Sequence, residues 1–541
     1  MSWPDRDTLA LVSSSQQFAR AAGVALPLFA LRGAHDLGTG EILDLIAFID
    51  WMDRWDQRVI QLLPINETAI GETSPYNTLS AFAIDPAYIS VSQVPEVEHS
   101  RAAQEVLHTP RVRGQIRRWR QSPQRQRPRL YALKLQLLDL GFSAFQNLPA
   151  ADERRAAFEN FRRLNAWWLD DYALFRAIKE RRRWTSWEAW PDPLRARDVM
   201  VLQRTAVRLQ PRIGFFQYLQ WVAAEQWNAV REHARRRGVL IKGDLSFVCG
   251  RDSADVWAHQ ELFDLHSSAG APPDAFSATG QAWGLPLYNW AAMRASNYAW
   301  WRQRARQGGV LFDLFRIDHV VGLFRTYAIP VRAGGAAGFV PHDQAEQATQ
   351  GHDLLSAVIE DAGGSGVIAE DLGTVPEWVR DSLSRLHIPG YKVFRWERNG
   401  EAFIDPRTYA PLSVATTGTH DTDTLAAWLE GLTGNERTAL IELLHLTNPG
   451  VRTAEPKSSQ TAELHLALLH CLYNAASVLT ILPIQDLFGW RERINTPATT
   501  DSHNWRYRLP VETSRLDTLP DVRQRMEALR ALISETGRSM R

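Results

Sequence analysis

The chain has 541 residues, with 61 Lys plus Arg set against 61 Asp plus Glu, so its formal net charge is zero. That balance gives no electrostatic argument for nucleic acid or an anionic membrane, and 45% hydrophobic residues point to a globular chain with a large core. Two cysteines, Cys249 and Cys471, offer neither a disulfide framework nor zinc spacing, residues 1–25 lack a basic-then-apolar leader, and no apolar run reaches the ~20 residues of a membrane helix, so a cytoplasmic protein is expected.

Taken in order, residues 22–29 read as a first strand and residues 40–55 as an amphipathic helix. Residues 58–64 form a second strand closed by Pro64, followed by a turn-rich loop carrying Ser74, Pro75 and Tyr76. Residues 91–235 have helical rather than alternating periodicity, with helices expected over 156–182 and 213–237 and a loop over 184–193. The arginine-dense run 111–129, broken by Pro123 and Pro128, reads as a solvated helix and loop. The whole block is expected to be a mostly helical insertion, residues 67–236, between the second and third strands.

Residues 239–245 supply the third strand, which ends at Asp244. The next stretch, 246–290, is rich in Pro, Gly and aromatics and is too long for a plain connector, so it is expected to be a substrate-covering loop. Strand four (311–319) ends in Arg316-x-Asp318-His319, and strand five (366–371) ends in Glu370-Asp371. A loop and a helix over 344–361 join the two. Strands six (391–396), seven (413–417, reaching His420-Asp421) and eight (478–484, followed by Gln485-Asp486) complete the count, and a mainly helical segment closes the chain at 517–540. Eight strands alternating with helices predict an α/β fold, a (β/α)8 TIM barrel with right-handed crossovers. One catalytic domain over 1–541 is expected.

Chemistry in such barrels gathers at the carboxyl ends of the strands. Three separate strand ends here deliver Asp318, Glu370 and Asp421. Breaking a glycosidic bond requires an acid for the leaving oxygen and a carboxylate for the cationic transition state, and the spacing of the two carboxyls decides retention or inversion. Arg316 lies two residues before Asp318 and shares its face of the strand, so it is expected to keep Asp318 ionised as a nucleophile. Glu370 has Asp371 beside it and no basic partner in its motif, which suits a raised pKa and a general acid. Asp421 with His420 is placed to hold sugar hydroxyls and steady the cation. A metal hydrolase is the competing reading, disfavoured because His319 and His420 form no ligand pair. Twenty-one tryptophans add flat faces on which sugars stack, although core packing accounts for most of them.

The chain resembles the 4-α-glucanotransferases (amylomaltase, or disproportionating enzyme), a branch of the α-amylase clan. The resemblance runs from about residue 23 to 508. It rests on Ser74-Pro75-Tyr76, the stretch 165–172, Gly243-Asp244-Leu245, Asp252 to Trp257, Phe276 to Gly284, Arg316 to His319, Glu370 to Gly373, Thr419-His420-Asp421 and Asn504-Trp505. It implies retaining transfer of α-1,4-glucan segments from donor to acceptor, with Asp318 as nucleophile, Glu370 as acid/base and Asp421 as transition-state stabiliser. It further implies that Tyr76 stacks on a sugar and that Asp244, Gln281, Trp283, Arg316 and His420 line the donor site. No metal, no cofactor and no separate C-terminal β-domain are implied. The expected partners are glucan donors and acceptors, with the chain a monomer or weak homo-oligomer. A plain α-glucan hydrolase and a non-catalytic glucan-binding protein are the alternatives. The sequence departs from the family at Ala275, where a Tyr is usual, at Val320-Val321, and at Glu397, where an Asp is often found.

Overall fold

Eight short strands, each buried on both sides, make the centre of the molecule: β1 (Ala21–Ala25), β2 (Val59–Gln61), β3 (Leu240–Leu245), β4 (Leu314–Ile317), β5 (Gly366–Ala369), β6 (Gly390–Val393), β7 (Ser413–Thr416) and β8 (Leu479–Pro483). The computed structural model describes residues 18–273, 280–332, 336–447, 458–497, 499 and 502–540. The strands pair in parallel in the order β6-β7-β8-β1-β2-β3-β4-β5. Continuous Val, Ile and Leu runs suit this arrangement, because a barrel strand faces apolar side chains inside and helices outside. The interior is plugged by Val59, Leu314, Ile368, Val393, Val414 and Ile481, a cluster distinct from the larger core between strands and helices.

The seam between β5 and β6 is closed by one backbone bond and one side chain. Ala369 N–H donates to the Pro389 carbonyl at 2.9 Å, and the Asp371 carboxylate accepts from Tyr391 N–H at 2.7 Å. Gly390 leaves room for that carboxylate, since a Cβ there would lie 2.6 Å from it. Asp371 is thus a structural neighbour of Glu370 that replaces a missing ladder bond.

Between β2 and β3 stand the helices α1 (Pro110–Gln121), α2 (Arg127–Gln146), α3 (Glu153–Arg181) and α4 (Val199–Arg236). Asp152 caps α3 by accepting from Arg154 N–H at 2.8 Å, and Asp198 caps α4 through Val201 N–H at 2.9 Å. The expected start of α4 near 213 follows Pro211, but the helix runs through that proline and buries Leu209 before it and Phe215 after it. The segment 184–193, expected as a loop, holds two short helical turns, Trp187–Ala189 and Asp192–Arg195. The end of the arginine run is also more than a solvated face: Arg127 Nη2 pairs with buried Asp85 at 2.7 Å.

The largest difference from expectation lies over the carboxyl end of the barrel. Much of the stretch expected as irregular loop after β3 is regular sheet. Strands Phe263–Ala271 and Gln281–Tyr288 pair antiparallel, and Thr326–Pro330 and Gly338–Val340 extend them to a four-stranded sheet. Gly270, Gly284 and Pro286 disguise these strands as loop, because both residue types are rare in regular strands. Register shifts occur at Ala269, and a Cβ on Gly270 would fall 2.1 Å from the Gln281 carbonyl. Residues 274–279, which include Ala275 and part of the quoted motif, lie outside the described residues.

Candidate active site

β3 and β4 lie in register with Asp244 opposite Arg316, and both side chains point into the barrel mouth. Arg316 Nη1 donates to the two oxygens of Asp244 at 2.7 and 2.8 Å and lies 2.8 Å from Asp318 Oδ1. Its Nη2 lies 3.7 Å from Glu370 Oε2. One guanidinium therefore serves three carboxylates from three successive strands, with the Asp244 side chain fully covered and a quarter of Asp318 open to the mouth.

Burial and that imbalance together set the ionisation of the site. Burial pushes Asp318 up to about 6; Arg316 pulls against this, while Asp244 and Glu370 reinforce it. Arg316 does lower the Asp318 pKa, as its place on the strand implied, but burial, with Asp244 and Glu370, outweighs it, so the net shift is upward. Glu370 is raised too, first by burial, with Arg316 and two backbone N–H groups opposing. Those groups are His319 N–H, donating to Oε2 at 2.7 Å, and Leu372 N–H, donating to Oε1 at 3.0 Å. Tertiary folding has given Glu370 the basic neighbour that its own motif lacks.

His319 adopts φ 46°, a left-handed conformation uncommon outside glycine, and this turn aims its N–H at Glu370. Its ring is edge-on to Trp283 at 4.9 Å and to Phe247 at 5.6 Å, and burial lowers its pKa. Asp421 comes in from β7. Its Oδ1 accepts from Asn495 Nδ2 at 2.6 Å, its carbonyl accepts from Arg493 Nη2 at 2.6 Å, and Oδ2 lies 3.4 Å from His420 Nε2. The His420 ring stacks on Tyr76 at 5.2 Å and tilts against Trp505 at 5.5 Å. Tyr76 O–H in turn donates to Asp244 at 2.8 Å, and burial beside Asp244 holds the phenol well above its usual pKa, so it remains a donor.

An unbroken series of contacts thus joins Asp421, His420, Tyr76, Asp244, Arg316, Asp318 and Glu370. Trp283, half-buried, reaches the group through His319. Gln281 stands at the start of its strand, paired with Ala271 and partly exposed. Among the described residues, no group of three or more His, Cys, Asp and Glu side chains could hold a metal ion. Glu397, the departure noted after strand six, is ion-paired with Lys392 at 3.0 Å. Asp486, which marks the end of β8, is buried and accepts from Thr417 O–H at 2.6 Å and Leu425 N–H at 2.7 Å, so it braces β7 and takes no place at the mouth.

Known proteins share this architecture. The family model described as 4-alpha-glucanotransferase matches residues 26–513. The chain belongs to the 4-alpha-glucanotransferase family. It is 33% identical over 493 residues to a 4-alpha-glucanotransferase of Chlamydia caviae, covering 90% of each chain. It is 32% identical over 530 residues to that of Thermus thermophilus, covering 94% of this chain and 100% of the relative. Among solved structures it is similar to the amylomaltase of Streptococcus agalactiae in complex with acarbose, with TM-score 0.81, 25% identity, and coverage of 96% and 99% of the two chains.

For this member of the glucanotransferases, sequence reasoning missed Asn495 and Arg493, which fix Asp421, and three residues below the mouth: Gln61, Lys242 and Tyr391. The first two sit in an irregular segment after β8 with no motif around them. Lys242 carried a signal, because a lysine inside an otherwise apolar strand needs a buried partner. Burial and the nearby Arg316 push its pKa well below the ordinary lysine value. The tryptophans are largely core: Trp51, Trp227, Trp257, Trp300 and Trp301 are fully buried, whereas Trp396, just past β6, is 53% exposed.

Proposed function

We propose that the protein is a retaining 4-α-glucanotransferase in which Asp318 is the nucleophile, Glu370 the general acid/base and Asp421 the stabiliser of the cationic transition state. The observation that carries this reading is the single Arg316 guanidinium set among three strand-end carboxylates in a chain matched by the family almost end to end. A surplus of buried negative charge favours the oxocarbenium-like transition state over the neutral substrate.

Glu370, its pKa raised by burial, gives its proton to the glycosidic oxygen as that oxygen's bond to C1 breaks. Asp318 Oδ closes on C1 and forms a glycosyl ester, and the reducing-end segment leaves with the proton. Glu370, now a carboxylate, takes the proton of the acceptor's 4-hydroxyl, whose oxygen attacks C1 and frees Asp318. Two inversions give net retention. Tyr76, Asp244, Arg316 and His420 bind the donor sugar, and Gln281 and Trp283 cover it from the sheet above the mouth. That cover keeps water from competing with the acceptor. Trp396 offers an exposed ring face for an acceptor sugar. The substrates are α-1,4-glucans and maltooligosaccharides, and two unpaired buried thiols suit a cytoplasmic setting.

Incubation with maltotriose tests the reading. Transfer gives a ladder of longer glucans plus glucose. Glucose and maltose alone would identify a hydrolase instead, and binding without any product would identify a glucan-binding protein.

A further inference from the structure

Below the carboxylates the barrel mouth narrows to a cavity of about 40 Å3, lined among others by Pro27, Gln61, Arg316, Tyr391, Thr416 and His420. Most of its walls are strand ends, so this pit lies on the barrel axis, directly beneath the group that would hold the donor sugar. Two of its polar lining residues, Gln61 and Tyr391, are tied together by Lys242 behind them, and the mechanism above uses none of the three. Lys242 Nζ donates to Gln61 Oε1 at 2.7 Å and also to the Tyr391 hydroxyl, and Tyr391 O–H donates to the same Gln61 oxygen at 3.1 Å.

The consequence concerns the other end of the Gln61 amide. Gln61 Oε1 accepts from both Lys242 and Tyr391, which are themselves buried, so the amide is held with its oxygen toward them. The Gln61 NH2 group is therefore turned away from them and into the pit. Around it the lining is mixed. Pro27, Leu63, Ile481 and Pro483 are apolar, while Arg316, Thr416 and His420 bring polar atoms. A pit of this size has room for about three water-sized groups, enough for a projecting substituent but not for a sugar ring. Among the parts of a glucosyl unit, the hydroxymethyl group matches it best, having a CH2 for the apolar wall and a hydroxyl for the amide.

We propose that Gln61 is a donor-sugar binding residue, aimed by Lys242 and Tyr391, whose amide N–H donates to the 6-hydroxyl of the glucosyl unit being transferred. This rests on the glucanotransferase reading and extends it to a residue, and a sugar position, that the comparisons do not assign.

The test compares α-maltotriosyl fluoride with the analogue lacking the 6-hydroxyl on the fluorinated glucose, with maltose as acceptor, for the parent protein and for Gln61→Leu. A buried site built to bond a hydroxyl discriminates strongly against its absence. The parent is expected to prefer the hydroxylated donor by about 10- to 100-fold in kcat/KM, a preference that Gln61→Leu reduces to about twofold or less while leaving the deoxy donor nearly unchanged. Lys242→Met is expected to weaken the preference in part by releasing the amide. Equal slowing of both donors by Gln61→Leu, or no preference in the parent, overturns the proposal and leaves the pit as a water site. If Gln61→Leu does not fold, Gln61→Met decides, since it keeps the length and volume of the side chain but has no N–H to donate. Absence of transfer from any donor by the parent would instead count against the function itself, which keeps the two failures distinct.

Discussion

Two buried arginines in this molecule have the same kind of neighbours and opposite consequences. In the helical insertion, Arg176 on α3 pairs with Glu67 at 3.0 Å, and the Tyr131 and Tyr172 hydroxyls donate to the same carboxylate at 2.9 and 2.6 Å. Trp184 and Phe216 cover the guanidinium, each 4.6 Å away. One positive charge meets one negative charge, the Glu67 oxygens are fully occupied, and nothing opens to solvent. At the barrel mouth, Arg316 meets three carboxylates beside a cavity. The first cluster is neutral and closed, and locks α3 to the loop after β2. The second carries surplus negative charge, which adds to burial in raising Asp318 to about 6 and, on the proposed mechanism, would be balanced when positive charge develops on a substrate. Charge stoichiometry, acting together with burial, distinguishes the two clusters.

Asp318→Asn is the strongest test of that contrast. Transfer should fall by about ten-thousandfold or more if, as proposed, this carboxylate forms the glycosyl ester. Stability should move the other way. A carboxyl whose folded pKa lies above its unfolded value contributes stability below the unfolded value, and loses it as pH rises through about 6. At pH 7 the ionised group is therefore a burden, and the Asn variant should melt at or above the parent temperature. A clear drop in melting temperature would break the contrast.

Glu67→Gln should do the reverse. Leaving Arg176 buried without its counter-charge costs about 3–5 kcal/mol of stability, read by urea unfolding, while kcat/KM of the protein that remains folded stays within about twofold. A large fall in activity at unchanged stability would mean that the insertion cluster acts on the site.

Arg316→Met sharpens the electrostatic half of the contrast. The acid limb of kcat/KM is expected near pH 6, where Asp318 ionises. Removing the charge that pulls Asp318 down should move that limb to higher pH by about one unit or more, on top of a lower rate. Asp244→Asn should move it to lower pH, because Asp244 raises Asp318. Limbs that move the opposite way would reassign the titrating group. The smallest effect is expected from Trp396→Ala: about a two- to tenfold higher KM for the acceptor with little change in donor hydrolysis, the scale of one lost stacking face.

How much of this was legible in the sequence differs from region to region. All eight barrel strands were, because a short Val/Ile/Leu run that ends in a polar cluster and leads into a helix suits a buried parallel strand and little else. The sheet over the mouth was not. Its strands contain Gly270, Gly284 and Pro286, the pairing of the first two is irregular, and the sheet is completed by partners about 60 residues apart, such as Ala269 with Ala328, which local patterning cannot register. The start of α4 was hidden by Pro211, whose cost is offset by packing on both sides of it.

The site divides in the same way. Sequence alone named Asp318, Glu370 and Asp421, because each ends a strand and the direction of a parallel barrel strand dictates where its end emerges. It could not say what those carboxylates face. That Arg316 is shared among Asp244, Asp318 and Glu370, that Asn495 and Arg493 hold Asp421, and that Lys242 and Tyr391 aim Gln61 all depend on barrel closure and register. A pKa depends on distances of a few ångströms between residues far apart in the chain, and only the closed barrel fixes those distances.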